Sequence, residues 1–220
     1  MVLGGEFPCQ RSGQMQQFLT FLHSDKSETS IMRLVIGMSG ASGVIYGIRL
    51  LEVLRQVEDV ETHLVMSASA KMNIQIETDW SANDVKELAD VVHSNKDIAA
   101  SIASGSFRTD GMIIAPCAIK TLSAIANSYA DSLIVRAADV ILKERRRLVL
   151  VPRETPLHTG HCELLLKASQ IGAIIAPPMP AHYIKPQSVD DIVNHHVGRI
   201  LDLFSLDPGL VKRWPSTRND

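Results

Sequence analysis

From Met32 onward, short apolar runs alternate with segments in which apolar residues recur every three or four positions. That alternation predicts strand–helix–strand units around a parallel sheet. The runs Leu34–Met38, Thr62–Met66, Met112–Ala115, Leu148–Val151 and Ala173–Ala176 read as strands, and their unbroken apolar character is expected of strands covered on both faces. The clearest helices are Val44–Gln56 and Val189–Phe204. In the second, Val189, Ile192, Val193, Val197, Ile200, Leu201 and Phe204 form one stripe for a sheet to cover. No internal repeat or long linker interrupts residues 33–205. The expected fold is therefore α/β, a single Rossmann-like doubly wound domain with a mostly parallel central sheet over residues 32–207, followed by a C-terminal tail, 208–220.

Residues 1–31 lack this periodicity, with Gly4-Gly5, a glutamine-rich stretch and a polar run over 23–30. They contain neither the apolar stretch of a secretory signal nor the basic bias of a transit peptide, so they read as an extension outside the fold, with the natural start at Met32.

Composition narrows the partners. The chain has 220 residues, with 22 Lys+Arg against 24 Asp+Glu, a net charge of −2 that gives nucleic acid no basic field to bind. No stretch reaches the roughly 18 to 20 apolar residues of a membrane span, and three cysteines without a CxxC pair suggest neither a disulfide framework nor a zinc knuckle. A reducing, cytoplasmic setting is expected. His158 and His161 have helical spacing but no third ligand at suitable spacing, so no metal is expected and a structural or capping role is favoured. His195 and His196, being adjacent, should point to different helix faces.

The strand–turn–helix junctions carry the candidate chemistry. Gly37-Met38-Ser39-Gly40-Ala41-Ser42-Gly43 follows the first strand and opens the first long helix, with Ser42 a candidate N-cap. Such glycines let backbone approach a ligand, and the free N–H groups of a helix start attract phosphate. The spacing is not GxGxxG, and no acidic residue closes the second strand, which disfavours a dinucleotide and leaves a mononucleotide site or a structural turn. Ser67-Ala68-Ser69 and Ala115-Pro116-Cys117-Ala118-Ile119-Lys120-Thr121 end later strands with further polar turns. Ligands of open α/β sheets gather at these carboxyl ends.

The motifs GMSGASGVIYGIRLLE (37–52), ETHLVMS (61–67), IETDW (76–80), SGSFRTDGM (104–112), RAADVILKERRRLVLVPRETPLH (136–158) and PPMPAHYIKPQS (177–188) resemble those of the flavin prenyltransferases of the UbiX type, within the wider group of flavin-binding cysteine decarboxylases. The likeness runs from about Met32 to Trp214. It implies an enzyme that joins the dimethylallyl group of dimethylallyl phosphate to reduced FMN without a metal, giving prenylated FMN for a UbiD-type decarboxylase in ubiquinone biosynthesis or aromatic acid decarboxylation. It further implies FMN contacts at Gly40, Ala41, Ser42, Ser67, Ala118, Ile119, Lys120, Thr121, Arg136 and Arg153. Dimethylallyl phosphate would meet Tyr183, Arg199 and Trp214, and the catalytic groups would be Glu77, Lys143 and Glu154. The family's sites are completed between subunits of a large homo-oligomer, a dodecamer.

Two alternatives remain open at this point, an FMN-dependent aromatic acid decarboxylase and a non-catalytic flavin carrier. Cysteine-decarboxylating relatives carry an Asn in the third junction, which residues 116–121 lack. Where the family commonly has Pro-Cys-Ser, this chain has Pro116-Cys117-Ala118, one hydroxyl fewer toward the flavin. Read without the resemblance, Lys143–Arg147 is a solvated helix end, Arg199 a surface residue, Glu77 a helix-terminal carboxylate and Trp214 a tail anchor.

Overall fold

A computed structural model of the chain describes residues 31–214. The extension expected over 1–31 therefore lies, but for Ile31, outside the described residues, as does the tail beyond Trp214. In chain order the strands are β1 Met32–Met38, β2 Val60–Met66, β3 Val91–Ser94, β4 Gly111–Cys117, β5 Arg147–Pro152 and β6 Ile174–Ile175. The helices are α1 Val44–Leu54, α2 Ala68–Glu77, α3 Ala82–Glu87, α4 Ile119–Ala126, α5 Leu133–Lys143, α6 Thr159–Gln170 and α7 Val189–Asp202, with 3-10 turns at Ser101–Ala103 and His182–Ile184.

All strand pairs are parallel, in the order β3-β2-β1-β4-β5-β6. The doubly wound Rossmann-like expectation holds, with a sheet that is wholly rather than mostly parallel. Its two-sided burial follows from sequence alternation. Leu34, Ile36 and Met38 face α1 and α7 in one apolar cluster with Val44, Ile48, Leu51, Val193, Val197 and Leu201. Val35, Met112, Ile114, Leu148 and Leu150 face the other side with Leu122, Ile125, Leu133, Ala137 and Ile141 of α4 and α5. At about 25 cal/mol per Å² of apolar surface removed from water, these clusters dominate the stability of the fold.

The helices expected over Val44–Gln56 and Val189–Phe204 stop two residues early, at Leu54 and Asp202. A sixth strand, β3, was absent from the pattern, and this edge strand is only alternately half-buried and exposed. No helix among the described residues is long and apolar enough to cross a membrane. The strand order reverses between β1 and β4, which opens a crevice at their carboxyl ends where ligands of such sheets bind.

Candidate active site

The turns leaving β1 and β4 are locked together at this switch point. Ser39, 1% exposed, donates its hydroxyl to the Pro116 carbonyl at 3.0 Å and accepts from the Ala118 N–H at 2.7 Å. Beside this lock lies a cleft of about 270 Å³ walled by Gly40, Ser67, Ser69, Asn95, Ala118, Lys120 and Thr121, with Asp131, Ser132, Ile134 and Val135 from the start of α5. A Cβ on Gly40 would lie 2.4 Å from that of Ser69, so glycine is what lets the two turns close on each other.

Four helices begin near this edge, and their N–H groups show where an anion fits. Gly43, not Ser42, is the N-cap of α1, in the left-handed region at φ 98°. This corrects the sequence expectation, and the cause is a distant carboxylate. Glu77, at the end of α2, accepts from Gly43 N–H at 2.8 Å and Val44 N–H at 3.2 Å. The α1 start therefore already holds an anion. Ser67 caps α2 by accepting from Ala70 N–H at 3.0 Å. Asn95 caps α5, its carbonyl and side-chain oxygens accepting from Leu133 and Ile134 N–H, each at 3.0 Å. Only α4 has no side-chain cap, because Ala118 stands at its N-cap. Among the described residues, the N–H groups of Ile119, Lys120 and Thr121 find no acceptor. A helix start with free donors, a lysine and a threonine hydroxyl is suited to a phosphate group, and the residues present fit the nucleotide end of FMN.

The other expected residues are distributed around the fold. Ala41 and Ser42 continue the first turn, where the Ala41 carbonyl accepts from Asn73 Nδ2 at 3.0 Å. Arg153 leaves the carboxyl end of β5 exposed, its N–H reaching the Cys117 carbonyl at 3.3 Å. Glu154 is exposed beside it and accepts from Thr155 N–H at 3.1 Å. On α5, Arg136 donates to the Ala103 carbonyl at 3.1 Å and pairs with Asp139 at 2.8 Å. Lys143 ends α5 and pairs with Glu144. Its chain then starts β5 at Arg147, opposite Gly111 at the start of β4, so Lys143 lies at the amino edge of the sheet, away from the cleft of its own chain.

Tyr183, Arg199 and Trp214 form a second group along α7. Tyr183 and Trp214 meet edge to face at 5.2 Å. Asp202 accepts from Arg199 at 2.6 Å and, through both oxygens, from Arg213 at 2.7 and 2.8 Å, with the Arg213 hydrogen bonds holding its carboxyl below the usual carboxylate range. None of this group lines the cleft. One chain thus brings together Gly40, Ser67, Ala118, Lys120 and Thr121, and separately Tyr183, Arg199 and Trp214.

Ser39, Asn73 and Asn95 were missed by sequence reasoning. Ser39 stood in the first motif, whereas Asn95 follows the strand that went unrecognised. His158 caps α6 by accepting from Gly160 N–H at 3.1 Å, the capping role expected of it. His195 and His196 do face different neighbours, Tyr183 and Tyr46. Burial pushes the Cys117 thiol up to about 12, which makes it a small apolar core residue rather than a nucleophile. Among the described residues, no group of three His, Cys, Asp or Glu side chains is placed to hold a metal ion.

A parallel sheet with a cleft and a free helix start at its switch point defines an α/β protein built to take a phosphate-bearing mononucleotide. Residues 22–201 match the Flavoprotein family model. The flavin prenyltransferase UbiX of Escherichia coli K12 is 60% identical over 184 residues, 83% of this chain and 97% of that protein. That of Thauera aromatica is 60% identical over 183 residues, 83% and 94% of the two chains. A solved structure described as a dodecameric FMN-dependent UbiX-like decarboxylase from Escherichia coli O157:H7 superposes with a TM-score of 0.83 at 55% identity, covering 84% of this chain and all of that one. AnUbiX (PadA1), solved with FMN and dimethylallyl pyrophosphate, gives 0.82 at 52% identity over 85% and 99%. The chain belongs to the flavoprotein family and, within it, to the UbiX-type flavin prenyltransferases.

Proposed function

We propose that this protein transfers the dimethylallyl group of dimethylallyl phosphate to reduced FMN, yielding prenylated FMN and inorganic phosphate. The observation that carries the reading is the uncapped α4 start beside Lys120 and Thr121 in the switch-point cleft, in a chain that spans 97% of a flavin prenyltransferase at 60% identity. Gly40, Ala41, Ser42 and Ser67 border the flavin nucleotide, and Ala118, Ile119, Lys120 and Thr121 receive its phosphate. Arg153 and Arg136 complete the flavin contacts.

Transfer breaks the bond between the allylic carbon and its phosphate oxygen. The electron pair leaves with phosphate while the allylic carbon bonds to the flavin ring. Stabilising that departing charge is the work of pre-placed donors. Lys143, Arg199 and Tyr183 are assigned to it, with Arg supplying a planar fork and Lys a point charge. Trp214 covers the prenyl group. Glu154 is a carboxylate available to take the ring proton. Glu77 acts through the backbone, because its carboxylate caps α1.

Since Lys143 and the Tyr183 group lie away from the cleft of their own chain, neighbouring subunits of a homo-oligomer, a dodecamer, bring them to it. The product serves a UbiD-type decarboxylase in ubiquinone biosynthesis or aromatic acid decarboxylation, in the cytoplasm, a setting in keeping with free thiols at Cys117 and Cys162.

A second reading, direct FMN-dependent decarboxylation, is favoured by the description of the Escherichia coli O157:H7 neighbour. One experiment separates the two. Purified protein is incubated anaerobically with reduced FMN and dimethylallyl phosphate, and the released flavin is weighed by mass spectrometry. A gain of one prenyl unit is expected. Unmodified flavin beside an active control rejects the reading, and carbon dioxide release from an aromatic acid without dimethylallyl phosphate selects the second.

A further inference from the structure

Tyr183 stands on the 3-10 turn His182–Ile184 and is 43% exposed. Its ring is contacted by Trp214 and by His195 of α7, edge to face at 5.5 Å. His195 is only 5% exposed, and its Nε2 lies 3.0 Å from the Tyr183 hydroxyl. Among the described residues that hydroxyl has no other partner. A phenol has one proton to give. If Tyr183 donates it to His195, none remains for an incoming phosphate. If His195 donates through Nε2–H, the phenol oxygen is anchored and its O–H is free to point outward.

We propose that His195 is the positioning residue of Tyr183, donating Nε2–H to the phenol oxygen so that the hydroxyl is held in place and aimed at the phosphate of dimethylallyl phosphate. This rests on the proposed function, which gives Tyr183 its ligand. Three features of the structure support it. The imidazole is anchored on a long, well-packed helix, one turn before Arg199, so a ligand held by Arg199 and Tyr183 is registered against one rigid element. The turn that carries Tyr183 is tied down from the tail, where Lys212 Nζ donates to the Ile184 carbonyl at 3.3 Å, leaving the hydroxyl direction to be set by His195. Burial first and nearby Arg199 second hold the imidazole below its ordinary pKa, which favours the uncharged ring, and of its two tautomers the Nε2–H form is the one that leaves the phenol proton for a ligand.

The test compares His195→Leu, His195→Gln and Tyr183→Phe, alone and as His195→Leu/Tyr183→Phe, in the full-length protein. KM for dimethylallyl phosphate, KM for FMN and kcat are measured by prenylated flavin formation. Loss of one oriented hydrogen bond is worth up to about tenfold. His195→Leu is therefore expected to raise KM for dimethylallyl phosphate by about that factor while KM for FMN stays unchanged. The amide N–H of His195→Gln restores it to within about threefold, and in the Tyr183→Phe background His195→Leu adds nothing further. Equal losses in Leu and Gln variants, a matching rise in KM for FMN, or a Leu effect that persists without the Tyr183 hydroxyl would each overturn the assignment, as would unchanged kinetics. Absence of product from the wild-type protein would instead refute the functional reading, and this assignment with it.

Discussion

His196 is set against Tyr46 with ring centroids 5.3 Å apart at 77°, and its Nε2 is buried without a hydrogen-bond partner. Burial pushes its pKa down from 6.5 to about 4, despite a backbone hydrogen bond with Ala176 that works the other way. The unfolded chain thus takes up a proton near pH 6.5, whereas the folded chain resists until about pH 4. Wherever the unfolded state binds more protons, stability rises with pH. The contribution is therefore complete above pH 6.5 and is lost as the pH falls toward 4. At pH 5 the loss from this residue is about 2 kcal/mol, which corresponds to about 4–8 °C in melting temperature for a domain of this size.

His196→Phe and His196→Leu remove the titration while keeping the site apolar. Melting temperatures of the wild type and both variants at fixed protein concentration, from pH 4.5 to 7.5, give the comparison. Contributions from the rest of the chain are common to all three proteins, so the difference between the curves isolates position 196. The wild type should lose about 4–8 °C more than either variant between pH 7 and pH 5. Parallel curves would show that the buried imidazole is not held neutral, and would refute the reasoning.

Three further outcomes follow from the site. Arg199→Ala should raise KM for dimethylallyl phosphate and leave FMN affinity unchanged in a fluorescence titration, and equal loss of both would misplace Arg199. Ala118→Ser supplies the absent hydroxyl at the α4 N-cap, whose extended backbone accepts it. It should raise stability by about 1 kcal/mol, a gain that a melting curve would detect or deny. Finally, Thr121→Ala combined with Lys120→Met damages the cleft, and Arg199→Ala damages the α7 group. When these two impaired proteins are unfolded and reassembled together, about a quarter of sites would draw intact halves from different subunits under random mixing, raising activity at low dimethylallyl phosphate above that of either protein alone. No recovery would place both groups within one chain's site.

The sheet was legible because its central strands are long, continuous and buried on both faces, which leaves a strong apolar signal. β3 was not, since Val91-Val92-His93-Ser94 is a four-residue edge strand with only alternate burial. Missing it hid Asn95, whose side chain and carbonyl cap α5 at the cleft. The first junction showed a second kind of limit. Ser42 had the right chemistry for a cap, yet Glu77 lies 34 positions from Gly43 in sequence and takes the role through tertiary packing. Local propensity cannot anticipate a cap supplied from another helix. The Tyr183–His195 contact was likewise invisible, because a 3-10 turn and a helix start intervene.

The distribution of charge follows from these contacts. Of the five cations assigned to the flavin and its prenyl donor, Arg136, Lys143 and Arg199 each pair with a carboxylate one or three residues further along, Asp139, Glu144 and Asp202. Arg153, at the end of β5, has no ion-pair partner among the described residues, nor has Lys120 at the cleft. The unpaired cations therefore stand at the carboxyl edge of the sheet, beside the free N–H groups of α4, where the proposed nucleotide phosphate would meet them. The paired ones lie on α5 and α7. Exposed pairs of this kind contribute little to folding, roughly 0–1 kcal/mol, so exchanging the carboxylate for another anion would cost the fold little. Asp202 adds a link, since the same carboxylate holds Arg199 and, through Arg213, the tail that sets Trp214 against Tyr183. An anion that drew Arg199 from Asp202 would leave the two Arg213 hydrogen bonds in place, and with them the seat of the tail that holds Trp214 against Tyr183.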